Sequence, residues 1–414
     1  MKSGKTNKQV LVLGAGFAGI RAALDVSRQS PDTRVILVSH NDYHLYHPSL
    51  YEVATAVRSD GSALELKNTV AVPVSEIIKR YRNIIFKQGW VKNVDIDRRV
   101  IQTDGGDLAY DYLVIALGSV TDYYNVPGLD KHAFALKTFE DAVRLRNHIA
   151  QMLAQFSLTR DNSYLNFVIG GGGFTGVELA GELINYLKHL LRRERDITPM
   201  VWVVEGSNQV LSGLNAKVSR TASRHLENIG VKFKLNSRIT EARADGAVVN
   251  GEEFMPSRTV IWTGGVRAFA TPFIKNIPCD KKSRVMVSSR LNLDVYPEVF
   301  IVGDVSCYID PAMNAPLPQT AQVAIHQARY AAKAVVRLIN HQEIPPYRPK
   351  TNFPFLIPLS GKHAIYADKY RVWYGFGPYI LRRGADLRYL VSVLPFWRAL
   401  AYWLKGSLIY IKND

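Results

Sequence analysis

Residues 9 to 19 read Gln9-Val10-Leu11-Val12-Leu13-Gly14-Ala15-Gly16-Phe17-Ala18-Gly19 and contain a glycine-rich turn after an apolar run. The apolar start is typical of a buried parallel strand, and the following Ile20-Arg21-Ala22-Ala23-Leu24 indicates a helix. Gly14 and Gly16 have no side chain to keep the backbone from a pyrophosphate, and Gly19 lets the helix pack closely on the strand. With a further strand at residues 34–38, the stretch predicts a dinucleotide-binding fold.

The same pattern recurs in the middle of the chain. Leu165-Asn166-Phe167-Val168-Ile169 predicts a strand, Gly171-Gly172-Gly173-Phe174-Thr175-Gly176 a glycine loop, and residues 177–183 a helix. Another buried strand, Val201-Trp202-Val203-Val204, ends in Glu205, whose carboxylate can accept hydrogen bonds from both ribose hydroxyls. A 2′-phosphate would be repelled there, and no Arg follows within several residues, so this unit favours NADH over NADPH. A solvated Glu at a strand end is the alternative interpretation.

Length and composition fit two nucleotide folds. At 414 residues the chain exceeds one ordinary domain, and its 47% hydrophobic and 21% charged residues are typical of globular proteins. The sequence therefore predicts an α/β fold with two Rossmann-like, three-layer dinucleotide-binding domains.

The net charge of +16 indicates an anionic partner, which charge alone does not identify: nucleic acid, acidic lipid headgroups or a phosphorylated ligand. The two cysteines, Cys279 and Cys307, have no Cys-x-x-Cys spacing, so we predict no disulfide framework, no metal site and a reducing, cytoplasmic setting. No uncharged run approaches the ~20 residues needed to span a bilayer, so any membrane contact should be peripheral.

The chain after Pro345 and Pro346 is rich in basic and aromatic residues. They include Arg382, Arg383, Arg388, Arg398, Lys405 and Lys412, and Trp373, Phe376, Phe396, Trp397 and Trp403. Basic groups interleaved with apolar ones predict two interfacial helices, separated by Pro395, that bind an anionic membrane surface. A homodimer interface or a lid over the core would use the same residues. Nucleic acid is not expected as a partner, because no recognition motif is present.

Four further segments carry a family likeness. They are Asn41–Thr55, after the second strand; Tyr110–Ser119, a strand and turn; Thr259–Ala268; and Val299–Asp304. Together with the glycine loops they resemble the two-dinucleotide-fold flavoprotein reductases, and within them the type II NADH:quinone dehydrogenases. The resemblance covers roughly residues 8 to 340.

This resemblance implies that FAD binds the first unit and NADH the second. It predicts a split FAD domain of residues 1–128 and 290–340, an NADH domain of residues 129–289 inserted in it, and a C-terminal membrane-interface or dimerisation region of residues 341–414. The expected FAD contacts are Gly14, Gly16, Phe17, Ala18, Gly19, Ser39, His40, Ala116, Gly118, Gly303, Asp304 and Gln322. The expected NADH contacts are Gly171, Gly173, Phe174, Thr175, Gly176, Glu178, Glu205 and Gly264.

Three positions depart from the family pattern. Ser39 stands where the second unit has the carboxylate of Glu205, which leaves the ribose contact of FAD in doubt. Leu117 stands where Thr is usual, and His326 stands where the family has Gln.

Three residues are candidates for the reaction itself. Hydride transfer needs nicotinamide stacked on flavin and depends mostly on positioning. Glu178 resembles the family's carboxylate beside the nicotinamide, although a carboxylate early in a helix would also favour the macrodipole. In a helix predicted from Pro316 through Leu338, Gln322 and His326 share a face and look like the family's two quinone-site positions. His326 could bond a quinone oxygen or supply a proton, or could merely be bonded to backbone or water.

The resemblance implies a non-proton-pumping NADH:quinone oxidoreductase, peripheral to the cytoplasmic face of the cell membrane. Three other functions share parts of this pattern. A sulfide:quinone reductase would need Cys279 and Cys307 to meet, and a soluble reductase would use the basic surface to dock a ferredoxin-like partner. A flavoprotein that senses NADH would turn over slowly.

Overall fold

The computed structural model describes residues 8–56, 63–192, 194, 196–269, 277–350 and 352–410. These residues form two units. The first unit takes its described residues from Met1–Leu45, Val72–Val120 and Val266–Phe353, and the second from Tyr46–Ala71, Thr121–Gly265 and Pro354–Asp414. The boundaries expected for the two cofactor-binding domains stay a prediction.

A five-stranded parallel sheet forms the centre of the first unit. Its order is Val299–Ile301, Tyr112–Ile115, Gln9–Leu13, Arg34–Ser39 and Ile84–Gln88. In the central strand Leu11 aligns with Leu113 on one side and Ile36 on the other, and all three are buried. Both faces of the sheet are covered, which explains why these strands read as continuous apolar runs.

Two different layers cover that sheet. The helix Phe17–Gln29 packs on one face and against the helix Ala321–Ile339. On the other face, Leu11 and Leu13 share a core with Val94 and Ile101 from a three-stranded antiparallel sheet. The remaining elements of this unit are Tyr43–Leu45, Val74–Ile78, Val91–Asp95, Val100–Thr103, Gly106–Ala109, Val266–Ala268, Val285–Met286, Gly303–Val305, Ser306–Cys307, Ile309–Asp310 and Ala315–Pro316.

The second unit repeats this plan. Its parallel sheet has the order Ala133–Ala135, Thr259–Trp262, Asn166–Gly170, Met200–Val204 and Val231–Lys234. The helix Phe174–Leu190 packs on one face, while Val168 on the other face shares a core with Ala247 and Met255 of an antiparallel sheet. The predicted α/β class, with two three-layer units built on parallel sheets, is therefore confirmed.

The C-terminal part belongs to the second unit. A three-stranded antiparallel sheet, Phe355–Pro358, Ala364–Ala367 and Val372–Gly375, packs against the helix Phe376–Val393. A second helix, Phe396–Tyr410, follows Pro395 and contacts the first, as the sequence predicted. None of the helices among the described residues is long and apolar enough to cross a membrane.

The other elements of the second unit are His47–Ser49, Leu50–Ala54, Ala63–Val70, Leu129–His132, Phe139–Thr159, Asn162–Leu165, Ala216–Asn228, Ile239–Arg243, Gly246–Val249 and Glu253–Pro256. Two short strands, Ala71–Pro73 and Ser119–Thr121, lie where the chain passes between the units.

One predicted helix begins later than expected. The helix expected from Pro316 starts at Ala321, where the Thr320 side chain caps it by accepting the N–H of Val323. Pro318 keeps the residue before it extended, so the prolines precede the helix and do not begin it.

Candidate functional site

The first glycine loop has the shape of a phosphate cradle. Gly14 has a φ of +100°, and a Cβ there would lie 2.3 Å from the carbonyl oxygen of Ala116. A Cβ on Gly19 would lie 1.7 Å from the carbonyl oxygen of Gly14. At Gly16 a Cβ would meet nothing within 4 Å, so open space lies over the loop at the start of a helix that has no acidic residue in its first turn. These residues fit the pyrophosphate of a dinucleotide.

A buried histidine that the sequence did not single out holds this loop in place. His44 is fully buried, and its Nδ1–H donates to the carbonyl oxygen of Ala15 over 2.9 Å. Burial lowers the pKa of His44 to about 4, so the ring is neutral and one nitrogen carries the proton. The ring of Phe17 packs edge-on against it, with centroids 5.0 Å apart.

Hydrogen bonds hold the end of the segment Val299–Asp304 in the first unit. The hydroxyl of Ser119 donates to the carboxylate of Asp304 over 2.6 Å. The Gln319 side chain donates to the backbone carbonyl of Asp304, and the N–H of Gly303 donates to the side chain of Gln327 over 2.7 Å. Ser119 and Gln327 were not predicted as site residues, because their roles depend on contacts with residues far away in the sequence.

The carboxyl ends of two neighbouring strands carry an aromatic pair. The rings of His40 and Trp90 stack, with centroids 4.3 Å apart and planes 19° from parallel. Trp90 is 49% exposed, so the pair lies at the surface of the first unit. Ser39, where a carboxylate was expected, accepts the backbone N–H of Gly89 through its own carbonyl oxygen.

The departure at Leu117 has a physical reason. Its side chain packs against the core cluster that contains Leu113 and Ile115, so an apolar residue fits where Thr is usual. Ala116 and Gly118 flank it, and Gly118 has a φ of +75° that favours glycine.

The second glycine loop repeats the geometry of the first. Gly171 has a φ of +104°, and a Cβ there would lie 2.6 Å from the Cα of Gly264. A Cβ on Gly176 would lie 1.9 Å from the carbonyl oxygen of Gly171, whereas a Cβ on Gly173 would meet nothing within 4 Å. The helix that follows, from Phe174 and Thr175, also has no acidic residue in its first turn. This loop therefore fits a second dinucleotide.

Glu205 is held against the second loop. Its carboxylate accepts the backbone N–H of Gly172 over 2.6 Å and that of Ser207 over 2.8 Å. A carboxylate has about four acceptor positions, so two hydrogen bonds leave capacity for ribose hydroxyls. The side chain is thus fixed at the loop, which a solvated residue at a strand end would not be.

Glu178 lies past the first turn of its helix, in a half-buried environment. Loss of hydration raises the pKa of Glu178 to about 8, with Arg382 opposing this shift and Glu52 adding to it. The group is therefore mostly protonated at neutral pH. An uncharged carboxyl beyond the first turn gains little from the helix dipole, so the macrodipole interpretation does not explain it.

Charged residues from the C-terminal helix pack near Glu178. Arg382 is 9% exposed and pairs with Asp386, and its guanidinium donates to the carbonyl oxygen of Pro48 over 3.3 Å. Arg383 lies 3.5 Å from the carboxylate of Glu52. The expectation that Arg382 and Arg383 meet lipid headgroups is wrong, because both are paired with carboxylates inside the unit. Lys412 lies outside the described residues.

Gln322 and His326 lie one turn apart on the helix Ala321–Ile339. Gln322 is exposed, and His326 is half-buried. His326 Nδ1 lies 2.8 Å from the hydroxyl of Tyr347. Burial, with help from the charge of Lys350, lowers the pKa of His326, so the ring is neutral at pH 7.

The two cysteines give no sign of redox chemistry. Both are free thiols, Cys279 exposed and Cys307 buried. Burial raises the pKa of Cys307, which makes it a poor nucleophile. The described residues contain no group of three or more His, Cys, Asp or Glu side chains that could hold a metal ion.

The residues predicted to contact the two cofactors lie in different units. All the residues expected to contact FAD lie in the first unit, and all those expected to contact NADH lie in the second. Within each unit, they cluster at the carboxyl ends of the parallel strands, where ligands bind such sheets.

Residues 8–328 match the pyridine nucleotide-disulphide oxidoreductase family. The chain is also similar to a type II NADH:quinone oxidoreductase from Staphylococcus aureus, with 30% identity over 342 residues, which is 80% of this chain and 83% of the relative.

Two solved structures have a similar fold. NDH2 from Plasmodium falciparum in complex with NADH has a TM-score of 0.83 and 18% identity, with 98% of each chain covered. The sulfide:quinone oxidoreductase of Aquifex aeolicus has a TM-score of 0.77 and 18% identity, covering 95% of this chain and 92% of that one. At 18% identity these two structures show the fold alone. The choice between NADH:quinone and sulfide:quinone oxidoreductase activity therefore rests on the Staphylococcus aureus relative and on the two free cysteines.

Proposed function

This chain belongs to the pyridine nucleotide-disulphide oxidoreductase family and to its type II NADH:quinone oxidoreductases, and from that premise we propose how its own residues serve the reaction. It is an FAD-dependent oxidoreductase with NADH as electron donor and quinone as acceptor. FAD, when bound, supplies the chemistry by taking a hydride from nicotinamide and giving two electrons to quinone. The supporting observation is the pair of glycine loops, which leave open space over Gly16 and Gly173 at two helix starts.

The first unit would hold FAD. Backbone N–H groups around Gly14, Gly16, Phe17, Ala18 and Gly19 would bind the pyrophosphate. The adenosine would extend toward the next strands of the sheet, where Ser39 can donate a hydrogen bond and the His40–Trp90 stack offers an aromatic surface.

The flavin end of FAD would lie at the other side of the same loop. Asp304 would accept a hydrogen bond from the ribityl chain, with its carboxylate oriented by Ser119. A Cβ on Gly118 would meet nothing within 4 Å, so the cofactor would have room there, flanked by Ala116 and Gly303. The helix start at Ala321 and Gln322 has a positive end that favours negative charge on the flavin ring.

The second unit would hold NADH. Gly171, Gly173, Phe174, Thr175 and Gly176 would bind its pyrophosphate. Glu205 would bind the ribose hydroxyls and repel a 2′-phosphate, which makes NADH the preferred donor.

Two further residues of the second unit would lie near the nicotinamide. A Cβ on Gly171 would lie 2.6 Å from the Cα of Gly264, and a Cβ on Gly264 would lie 2.5 Å from the ring of Trp262, so neither position accommodates a side chain. Glu178 would position the nicotinamide as a neutral, hydrogen-bonding carboxyl, since its raised pKa keeps it protonated at pH 7.

Quinone would bind beside Gln322 and His326, whose side chains can donate hydrogen bonds to its carbonyl oxygens. His326 would act as a neutral donor more than as an acid, because burial, with the neighbouring positive charges adding to it, lowers the pKa of its ring.

We further propose that the enzyme binds the cytoplasmic face of an anionic membrane through its two C-terminal helices. Large apolar side chains are exposed on them: Phe376, Ile380, Leu381, Phe396, Trp397, Leu404 and Leu408. Arg388 and Lys405 are exposed on the same helices and would meet anionic headgroups. A homodimer interface would cover the same surface and is the alternative.

Steady-state assays with different electron partners test the proposed function. We expect NADH to be consumed with a soluble short-chain quinone at ordinary enzyme rates, roughly 1–10³ per second. Turnover only with a ferredoxin, bleaching of the flavin by sulfide, or NADH binding with negligible turnover would each support one of the rival functions instead.

A further inference from the structure

The side chain of Tyr347 reaches the ring of His326. The hydroxyl of Tyr347 lies 2.8 Å from Nδ1 of His326, and Tyr347 is 4% exposed. His326 lies on the helix Ala321–Ile339, and Tyr347 lies in the chain segment after it. Both belong to the first unit.

Tyr347 is held firmly by other aromatic residues. Tyr308 and Tyr330 pack edge-on against its ring, with centroids 5.1 Å and 5.2 Å away. The hydroxyl of Tyr308 donates to the backbone carbonyl of Tyr347, and the N–H of Tyr347 donates to the carbonyl oxygen of Ser289. The phenol therefore meets the imidazole in a defined geometry.

The direction of this hydrogen bond follows from the donors available. Among the described residues, the hydroxyl of Tyr347 has one hydrogen-bond partner, the Nδ1 atom of His326. If Nδ1 carried the proton and donated it, the O–H of a buried phenol would be left without an acceptor there, which is unfavourable. The O–H therefore donates, and Nδ1 accepts.

Burial keeps both groups of the pair neutral. It lowers the pKa of the His326 ring, and the positive charges of Lys350, Arg329 and Lys333 add to this shift. Burial raises the pKa of Tyr347, so its hydroxyl keeps its proton. In a neutral imidazole whose Nδ1 accepts, the proton is on Nε2.

We propose that Tyr347 is a positioning residue that fixes His326 as the Nε2–H tautomer, so that His326 presents a hydrogen-bond donor to a carbonyl oxygen of the bound quinone. This inference rests on the proposed quinone site at Gln322 and His326. It assigns Tyr347 no proton transfer and no contact with the quinone. An alkyl-substituted benzoquinone or naphthoquinone has the carbonyl acceptor that this arrangement requires.

Tyr347→Phe tests the inference, with Tyr330→Phe as the matched control. Tyr330 lies in the same aromatic cluster and donates to the carbonyl oxygen of Pro345, so its variant also loses one phenol hydroxyl but leaves His326 untouched. We expect Tyr347→Phe to raise the KM for a short-chain quinone by about five- to tenfold, the usual effect of one misoriented hydrogen bond. The rate of flavin bleaching by NADH and the FAD content should not change in either variant.

A readout of the tautomer separates positioning from general packing. In ¹⁵N-labelled protein, the ring nitrogens of His326 should report a protonated Nε2 in the wild type and a mixture of tautomers in Tyr347→Phe. The effects of Tyr347→Phe and His326→Gln should also be coupled. In a His326→Gln background, Tyr347→Phe should raise the KM for the quinone no further.

Three results would overturn the inference, and the last is distinguishable from the first two. A wild-type His326 protonated on Nδ1, or an equal penalty of Tyr347→Phe in both backgrounds, would overturn the role of Tyr347 and leave the quinone site standing. Unchanged quinone reduction in His326→Leu would remove the proposed quinone site itself, and the inference with it.

Discussion

The backbone N–H of Gly172 donates to the carboxylate of Glu205 over 2.6 Å, which joins the second glycine loop to the end of the neighbouring strand. A Cβ on Gly172 would lie 3.2 Å from the Cβ of Glu205, so the loop passes this side chain as closely as glycine allows. The hydrogen bond therefore holds the carboxylate against the loop, at the position where it would meet the ribose of NADH.

We predict that Glu205→Ala raises the KM for NADH by about tenfold or more and narrows the preference for NADH over NADPH. The substitution removes a charged hydrogen-bond acceptor and the repulsion of a 2′-phosphate. Steady-state kinetics with both nucleotides measure this. Glu241→Gln is the control, because Glu241 is a partly exposed acid of the same unit that accepts a hydrogen bond from Arg243. An unchanged ratio of NADH to NADPH kcat/KM would contradict the role of Glu205.

Glu178 should give the reaction with NADH a pH dependence. Its raised pKa, about 8, means that it is neutral below that pH and ionises above it. In Glu178→Gln, which mimics the neutral form, the step near pH 8 in NADH affinity or in the rate of flavin bleaching should disappear. If neither the rate nor the affinity changes in the variant, Glu178 does not position the nicotinamide.

The same raised pKa affects stability. The unfolded chain ionises Glu178 near its ordinary value, below the pKa of the folded protein, so folding is progressively disfavoured as the pH rises from about 4.5 toward 8. The free energy of unfolding of Glu178→Gln, compared with that of the wild type, should therefore be higher at pH 8 than at pH 4.5. Denaturant unfolding at the two pH values measures the free energy of unfolding of both proteins. If the variant differs from wild type by the same amount at both pH values, the pKa of Glu178 is not raised in the folded protein.

His326 should matter for the quinone half of the reaction alone. His326→Gln keeps an N–H donor and should retain part of the rate of flavin reoxidation by quinone. His326→Leu has no donor and should lose most of it. Equal loss of flavin bleaching by NADH in both variants would instead point to damage at the flavin.

Trp90 should contribute to retention of FAD. Stacking of a base on an aromatic side chain contributes about 1–3 kcal/mol, so Trp90→Leu should raise the Kd for FAD by roughly tenfold. Affinity for FMN, which has no adenosine, should stay the same. Trp373→Leu is the control, because Trp373 is 56% exposed and lies in the second unit. If Trp90→Leu lowers the affinities for FAD and FMN equally, Trp90 does not act through the adenosine.

Substitutions test membrane binding better than truncation does, because the C-terminal residues pack within the second unit. Trp397 and Leu408 are 77% and 68% exposed. Replacing both with Gln should lower partitioning onto anionic vesicles about tenfold or more. Leu158→Gln, at a position 79% exposed on the helix Phe139–Thr159, should leave partitioning unchanged. Unchanged vesicle binding with a shift from dimer to monomer would favour the dimer interface.

The nucleotide folds could be predicted from sequence because they depend on local patterns. The strand predicted at residues 9–13 is observed at Gln9–Leu13, and the strand before the second glycine loop is observed at Asn166–Gly170, shifted by one residue. Apolar runs and glycines that no other residue can replace mark such elements within a few consecutive positions.

The surroundings of the candidate residues could not be predicted in the same way. Tyr347 meets His326, and Arg382 acts on Glu178, only because segments that are separate in the sequence fold together. Charge pattern alone placed Arg382 on a membrane surface, since a buried, paired arginine and an exposed one have the same sequence signature. Burial decides between them, and burial is a property of the tertiary structure.

An anaerobic stopped-flow experiment on the purified protein tests the transfer of electrons from NADH to quinone most directly. We expect a yellow protein whose flavin absorbance is lost after mixing with NADH and returns after mixing with a short-chain quinone. A colourless protein that takes up no flavin, or a bleached flavin that quinone does not restore, would contradict it.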